Sequence, residues 1–404
     1  MELIAKLQIL ADAAKYDASC ASSGGVARKS TAGAGLGSTN GMGICHSYTP
    51  DGRCVSLLKI LLTNFCVYDC RYCVNRRSSD VQRARFSVEE VVALTLDFYR
   101  RNYIEGLFLS SGIVRSADYT MEQLVRVVRC LRVEHDFRGY IHLKTIAEAS
   151  RELIEQAGRY ADRVSVNIEL PSAHSLHRLA PEKSMSSIKS AMATIRVHRD
   201  EARHERKPAA YAPAGQSTQL IVGADATDDR TILHLSESLY AAYRLKRVYY
   251  SAFSPIQTPS QHLPLAAPPL TREHRLYQAD WLLRYYGFRA EELFDQRSSG
   301  RLDLEVDPKL TWALANRERF PVNVNTAARE MLLRIPGVGV RNVKRILAMR
   351  RHQQIRFDHL AVLRCEMEKV APFVITADYH PPRELRSEAL HARLRKGPAQ
   401  LALF

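Results

Sequence analysis

The 404 residues are too many for one ordinary core, so two domains with tails are expected. Hydrophobic residues at 46% and charged residues at 25% describe a globular chain; no apolar run approaches the roughly 18 residues that span a bilayer, and residues 1–17 mix acids into an amphipathic pattern unlike a secretory signal, so no membrane partner and a cytoplasmic location are expected. A net charge of +15 and a pI near 9.5 favour a polyanionic partner, and the excess is gathered late, with 15 Lys/Arg against 7 Asp/Glu in residues 320–404.

After a first amphipathic helix, residues 20–52 are polar and rich in Gly and Ser, which predicts a loop. Residues 55–62 then read as a buried strand. From there helices and strands alternate: helix 87–101 with Ser87 as its cap, strand 106–109, helix 121–135, strand 140–144 and helix 150–160. Strand 164–170, helix 184–199, strand 217–222, helix 228–243 and strand 247–253 close the series. This order predicts parallel strands with right-handed crossovers. The expected fold is α/β, a partial (β/α)6 barrel rather than a complete eight-fold one, followed by a small all-α module. The predicted division is an N-terminal helix and loop over 1–54, the barrel over 55–270, a helical connector over 271–319, the basic module over 320–380 and a flexible tail over 381–404. No internal repeat is visible.

The cysteines are Cys20, Cys45, Cys54, Cys66, Cys70, Cys73, Cys130 and Cys365. In a chain without a secretory signal they read as thiols or metal ligands. Cys66, Cys70 and Cys73 form C-x3-C-x2-C directly after the first barrel strand, at the end where α/β barrels place their chemistry. Three thiolates can bind three irons of a [4Fe–4S] cubane and leave the fourth open. An electron-transfer cluster needs a fourth Cys, and none follows in the next 56 residues; zinc usually wants a fourth Cys or His at short spacing. The open iron can chelate the amino and carboxylate groups of S-adenosylmethionine, and an electron then breaks its sulfonium C–S bond to give methionine and a 5′-deoxyadenosyl radical. Cys20, Cys45 and Cys54 are either incidental thiols or a second metal site. Cys130 lies on the stripe of Leu124, Val127, Val128 and Leu131 and reads as core.

With Tyr72 just before the last Cys, the cysteine run and the alternating pattern resemble the radical SAM superfamily over about residues 55–256. In that superfamily the second strand ends in a Gly-Gly-Glu-like element for the methionine amino group. Here it reads Ser110-Ser111-Gly112-Ile113, small but without the acid. The resemblance further implies that Asn167 and Glu169, alternating on one face, contact the ribose or methionine carboxylate. It implies that Lys144 pairs with the carboxylate, and that Gly223 lets the chain approach the adenine.

Residues 326–351 resemble the helix-hairpin-helix of DNA-binding proteins, with Thr326 as a helix cap. Gly337, Val338 and Gly339 would expose backbone N–H groups at a helix N-terminus to a phosphate, and Arg341 and Lys344 add a sequence-independent attraction. Some DNA glycosylases pair this hairpin with an iron–sulfur cluster, but theirs needs four close cysteines and only Cys365 is present. Taken with residues 98–112, the combination resembles the DNA modification/repair radical SAM proteins, a family associated with a uracil-DNA-glycosylase-like protein. That resemblance implies an enzyme acting on a base or sugar of DNA; the alternative is RNA or a small molecule, with the hairpin used only for recruitment. An electron donor such as flavodoxin or ferredoxin is a further expected partner. The last five residues, Gln400-Leu401-Ala402-Leu403-Phe404, resemble the peptide by which bacterial repair proteins bind the sliding clamp.

Overall fold

The structure, a computed structural model, describes residues 1–14, 44–48, 54–204, 210–256, 260–294, 299–382, 390 and 394. Cys20 and the clamp-like segment 400–404 lie outside them. The order is α1 (Leu3–Ala14), β1 (Ile44–Tyr48), β2 (Cys54–Leu61), α2 (Val88–Arg100), β3 (Gly106–Ser110), α3 (Ala117–Arg129), β4 (Tyr140–Lys144), α4 (Arg151–Tyr160), β5 (Arg163–Ser165), α5 (Ala173–Leu179) and α6 (Met185–His204). There follow β6 (Gly215–Val222), α7 (Asp229–Tyr243), β7 (Arg247–Ala252), α8 (Leu270–Tyr285), α9 (Pro308–Ala315), β8 (Val322–Asn323), α10 (Arg329–Arg334), α11 (Val340–Met349), α12 (Phe357–Val362), α13 (Met367–Val370) and β9 (Val374–Ile375). No described helix is long and apolar enough to cross a membrane.

One sheet in the strand order β1 to β7 organises the first half, with β2 to β7 parallel and β1 added antiparallel to β2. The six parallel strands are the expected half-barrel. Register separates its two faces. Leu58, Ile60, Leu107, Leu109, Ile141, Leu143 and Val164 fall on one, all buried, as a helix-covered sheet face requires. Lys59, Ser110, His142, Arg163, Ser165 and Ser217 fall on the other and are equally buried. A buried polar face is where a partial barrel can hold a ligand.

Several expectations need correction. Part of the predicted loop 20–52 is the strand β1, whose Cys45 pairs with Leu57 and packs with Val55 and Phe108. Cys54 is three positions from Leu57, so it lies on the opposite face of β2 and cannot share a metal with Cys45. The predicted strand 164–170 is only Arg163–Ser165; beyond it the segment keeps a single bridge, Glu169 to Leu220, and Glu169 takes a φ of 64°, outside extended backbone. The alternation that placed Asn167 and Glu169 on one face therefore fails. Helix α3 ends in a π-helical segment, Cys130–Glu134, whose shifted register leaves Cys130 half-buried with its Sγ donating to Glu134 at 3.2 Å, not in the core.

The chain divides into two compact units, Met1–Ala226 with Leu239–Pro268, and Thr227–Ser238 with Pro269–Phe404. In the second unit Phe288, Trp312, Phe320 and Phe373 form an edge-to-face aromatic chain that links residues 271–319 to 320–380. The C-terminal module is not strictly all-α, since β8 and β9 pair in parallel. Nor is it free of repetition. Residues 27 apart (360 − 333) occupy matching places: Leu333 and Leu360, Val338 and Cys365, Val343 and Val370, Ile346 and Phe373 are all buried. Gly337 and Arg364 share the left-handed φ, at 75° and 58°.

Candidate active site around the cysteine loop

The loop carrying Cys66, Cys70 and Cys73 leaves β2 and returns before α2, and it is closed at its base. Thr63 Oγ1 donates to the Ala84 carbonyl at 2.8 Å, and the Asn64 side chain both donates to the Gln82 carbonyl and accepts from the Ala84 N–H, each at 2.8 Å. Arg83 then reaches into the loop, donating to the carbonyls of Asn64, Asn75 (2.9 Å), Arg76 (2.6 Å) and Ser79 (3.0 Å). One guanidinium thus satisfies carbonyls that no strand or helix would serve. Ser87 caps α2 through a complete capping box with Glu90, fixing where the loop ends.

The segment after β3 seats the first cysteine. Leu62 N–H donates to the Ser110 carbonyl at 2.8 Å, Gly112 N–H to the Thr63 carbonyl at 2.7 Å and Val67 N–H to the Ile113 carbonyl at 2.7 Å. Ile113 N–H donates to Cys66 Sγ at 3.4 Å. A Cβ on Gly112 would lie 2.3 Å from the Phe65 carbonyl oxygen, so only glycine permits this approach. Ser111 Oγ is turned onto the Gly112 carbonyl at 2.6 Å.

The other two cysteines lie over a charged pair. Cys70 is buried, and burial raises its pKa far above a free thiol. Burial raises Cys73 to about 11. Cys73 and Cys66 add to the rise at Cys70, and Cys66 to that at Cys73, while the Lys183 ammonium lowers both. Lys183 Nζ donates to Glu169 Oε1 at 2.5 Å, in a pair whose side chains are 20% and 9% exposed. Burial disfavours the ammonium, but Glu169 and then Cys70 and Glu148 hold its pKa well above the ordinary lysine value. Burial raises Glu148, which keeps a buried Oε1 without a hydrogen-bond partner, as Glu182 keeps Oε2. The buried Tyr72 hydroxyl faces Glu169 without a well-formed hydrogen bond, and burial pushes its pKa far up.

This donor set fits the group expected there. Buried thiols held protonated give up protons when metal binds, the Ile113 N–H and Lys183 offset the resulting negative charge, and three thiolates leave one iron corner open. Among the described residues no three ligating side chains converge on a single ion position; a cubane makes no such demand, since each thiolate meets its own iron. The unpartnered oxygens of Tyr72, Glu148 and Glu182 next to a lysine suit a zwitterionic amino-acid moiety.

Residues 60–201 match the Radical SAM superfamily. The chain carries a radical SAM domain. Members of this superfamily use a [4Fe–4S] cluster and S-adenosylmethionine, and these are the cofactors of this enzyme. No curated protein matches the chain. Among solved structures it is similar to the [FeFe]-hydrogenase maturase HydG, at 15% identity over 55% of this chain and 48% of that one, with a TM-score of 0.41. The HydG of Carboxydothermus hydrogenoformans gives 17%, 55%, 49% and 0.42. The methylornithine synthase PylB gives 16% identity over 68% of this chain and 67% of that one, at 0.40. The chain spans about half the length of the two HydG structures.

Of the residues named from sequence, the radical SAM loop brings together the three cysteines, Tyr72, Ser110, Ser111, Gly112 and Glu169. Lys144 closes β4 opposite Ser165, and Asn167 is half-buried after β5. Gly223 has a φ of 84° and is crowded by the Pro268 ring, 2.7 Å from an added Cβ. Lys183, Glu148, Glu182 and Arg83 were missed. The one local signal for Lys183 is the turn Pro181-Glu182-Lys183-Ser184 ahead of α6.

Proposed function

We propose that this radical SAM enzyme modifies or repairs DNA, holding the nucleic acid through the turn between α10 and α11. With a [4Fe–4S] cluster on Cys66, Cys70 and Cys73 and S-adenosylmethionine bound beside it, the site is supplied with reductive C–S cleavage and a hydrogen-abstracting radical. The chain's own groups do the rest. Lys183 offers a cation to the methionine carboxylate, and Tyr72 and Glu148 offer buried polar atoms that orient the cofactor. Lys144, Asn167 and Glu169 are the remaining candidates for its polar contacts.

The observation carrying the DNA reading is the start of α11. Gly339 caps this helix, and an added Cβ there would meet only the Tyr286 hydroxyl, at 3.8 Å. A phosphate oxygen can therefore come up to the backbone N–H groups. Tyr286, hydrogen-bonded to Val340 N–H, has its phenol proton left to donate. Arg341, Lys344 and Arg345 are exposed on α11 and make no ion pair among the described residues. Such a site contacts the backbone and is indifferent to sequence.

The test is anaerobic incubation of reconstituted protein with dithionite, S-adenosylmethionine and damaged or intact oligonucleotides, read by mass spectrometry. Wild-type protein should hold about four irons per chain and release 5′-deoxyadenosine, and Cys70→Ala should lose both. Gly339→Val should weaken binding equally across DNA sequences, and Lys344→Ala should lower the salt slope by about one. Cleavage retained in Cys70→Ala would end the cofactor assignment. Salt-independent DNA binding, or a preference for RNA, would end the substrate assignment alone.

A further inference from the structure

Two aromatic rings of α8 lie in water. Trp281 is 51% exposed and Tyr285 43%, on one face of the helix, with ring centres 4.9 Å apart. Leu276, Ala279 and Leu282 of the same helix are buried. Single exposed aromatics are ordinary, but this pair is also held in place. Arg284 donates to the Tyr285 hydroxyl at 2.7 Å and lies 4.8 Å from that ring's centre, and Asp280 holds Arg284 at 3.2 Å. Exposed rings fixed in this way offer a flat apolar surface that the fold leaves uncovered.

The next residue along the chain reaches the α10–α11 turn. Tyr286 is hydrogen-bonded to the Val340 N–H, and its hydroxyl is what an added Cβ on Gly339 would meet. The ring pair thus ends one residue, about 3.8 Å of backbone, before a side chain at the phosphate seat. Arg341, Lys344 and Arg345 are exposed on the helix that starts there.

The second copy of the hairpin carries the opposite chemistry. At the same offset Glu366 stands for Gly339, Glu368 for Arg341, Ala371 for Lys344 and Pro372 for Arg345. Both glutamates are exposed. Lys369 is taken up by Asp307 at 3.2 Å and by Glu366 at 2.8 Å. The Glu366 N–H donates to the Gly337 carbonyl at 3.3 Å. This copy repels a phosphate and props the first turn instead.

We propose that the second unit grips a single DNA strand, with its backbone at the Gly339 turn and its unpaired bases stacked on Trp281 and Tyr285. The proposal rests on the nucleic-acid reading of that turn. Two matched hairpins could seat one strand of a duplex each. Here the first copy alone keeps the cations, so a complementary strand meets glutamates. Every base has a π-face, so stacking leaves the contact indifferent to sequence. Unpaired bases are also what chemistry on a base requires, because a duplex stack encloses the target atom.

The experiment uses the full chain and a labelled oligonucleotide of mixed sequence, either single-stranded or annealed as a blunt duplex. Anisotropy gives the affinity, and tryptophan fluorescence reports stacking. Wild-type protein should bind the single strand several-fold more tightly than the duplex, with quenching of its fluorescence. Trp281→Ala with Tyr285→Ala should weaken single-strand binding by about tenfold or more, while duplex affinity and the salt slope stay as they were. Trp281→Phe with Tyr285→Phe should bind nearly as wild type but lose the quenching, because Trp312 is only 5% exposed. Thermal midpoints should match wild type in both variants. A duplex bound as tightly as the single strand would overturn the platform and leave the Gly339 turn standing. So would an alanine variant that binds the single strand like wild type, which would leave the rings to a protein partner. A wild-type chain that binds neither form of DNA would remove the reading of the turn and the platform with it.

Discussion

Gly112 has no room for a side chain, and the reason concerns the cysteine loop more than any ligand. Its Cα side meets the Phe65 carbonyl, and its N–H and its neighbour Ile113 hold the chain on both sides of Cys66. Gly112→Val must push that carbonyl away, an overpacking cost of about 1–3 kcal/mol, and it must move Cys66 Sγ off the Ile113 N–H. The expected outcome is a lower thermal midpoint together with a clear loss of iron per chain after reconstitution. Full iron loading in Gly112→Val would show that the seat tolerates displacement. At this scale the sequence was informative where function is local. The C-x3-C-x2-C spacing, the Ser87 capping box and the small residues after β3 are each readable within a few positions. Lys183 and Arg83 were not, because their chemistry is made by distance: Lys183 meets a glutamate 14 residues earlier, and Arg83 binds carbonyls as far back as Asn64. No pattern within either segment announces that meeting.

Among the elements, the paired turns of the second unit depend on a buried amine. Lys309 on α9 donates to the Val338 carbonyl at 2.7 Å, with its Nζ 4.6 Å from the centre of the Tyr286 ring. It therefore holds the α10–α11 turn from inside. Burial lowers its pKa to about 7 from 10.5, against the pull of Asp307 and Glu366 in the other direction. Between those values the unfolded chain keeps a proton that the folded chain gives up, so this group makes stability rise with pH from about 7 to about 10. The slope is on the order of 1 kcal/mol per pH unit. Both tryptophans, Trp281 and Trp312, lie in the second unit and report its unfolding. Urea midpoints of the full chain, followed by tryptophan fluorescence at pH 7, 8 and 9, should rise more steeply for wild type than for Lys309→Met. Parallel curves would mean that the amine does not titrate in this range. The repeat that frames this turn escaped sequence inspection because only two of its four buried matches are identical residues, and Arg364 stands where the first copy has Gly337. Strand β1 escaped for a different reason. Its surroundings are polar and Gly/Ser-rich, and only pairing with β2 makes it a strand.

For the whole molecule, the alternation of helices and strands made the parallel sheet legible, because crossover length and periodicity are written along the chain. The boundary between units was less so, since residues 227–238 lie in the middle of the barrel's sequence yet belong to the second unit. Within that unit Asp229 is buried, accepting from Arg272 Nε at 2.7 Å and from the Leu302 N–H at 2.9 Å. Arg272 also donates to the Thr227 carbonyl at 2.8 Å, and Arg230 N–H to the Gly300 carbonyl at 2.9 Å. A chain cut at Pro268 looks like a clean barrel by sequence, but it removes Arg272 and Leu302 and leaves the Asp229 carboxylate without either partner. Stranding one member of a buried pair costs about 3–5 kcal/mol, a large part of what holds a domain folded. The cut chain should therefore give less soluble protein and a lower thermal midpoint than the full chain. Asp229→Asn in that cut chain should recover part of the loss, because no buried charge is left unpaired. The full chain bearing Gly339→Val should by contrast keep its midpoint and its dithionite-driven release of 5′-deoxyadenosine while losing the DNA affinity proposed for that turn. A cut chain as stable as the whole would mean that the first unit stands without residues 269–404, and the separation of cofactor chemistry from DNA contact could then be made by truncation instead of by point substitution.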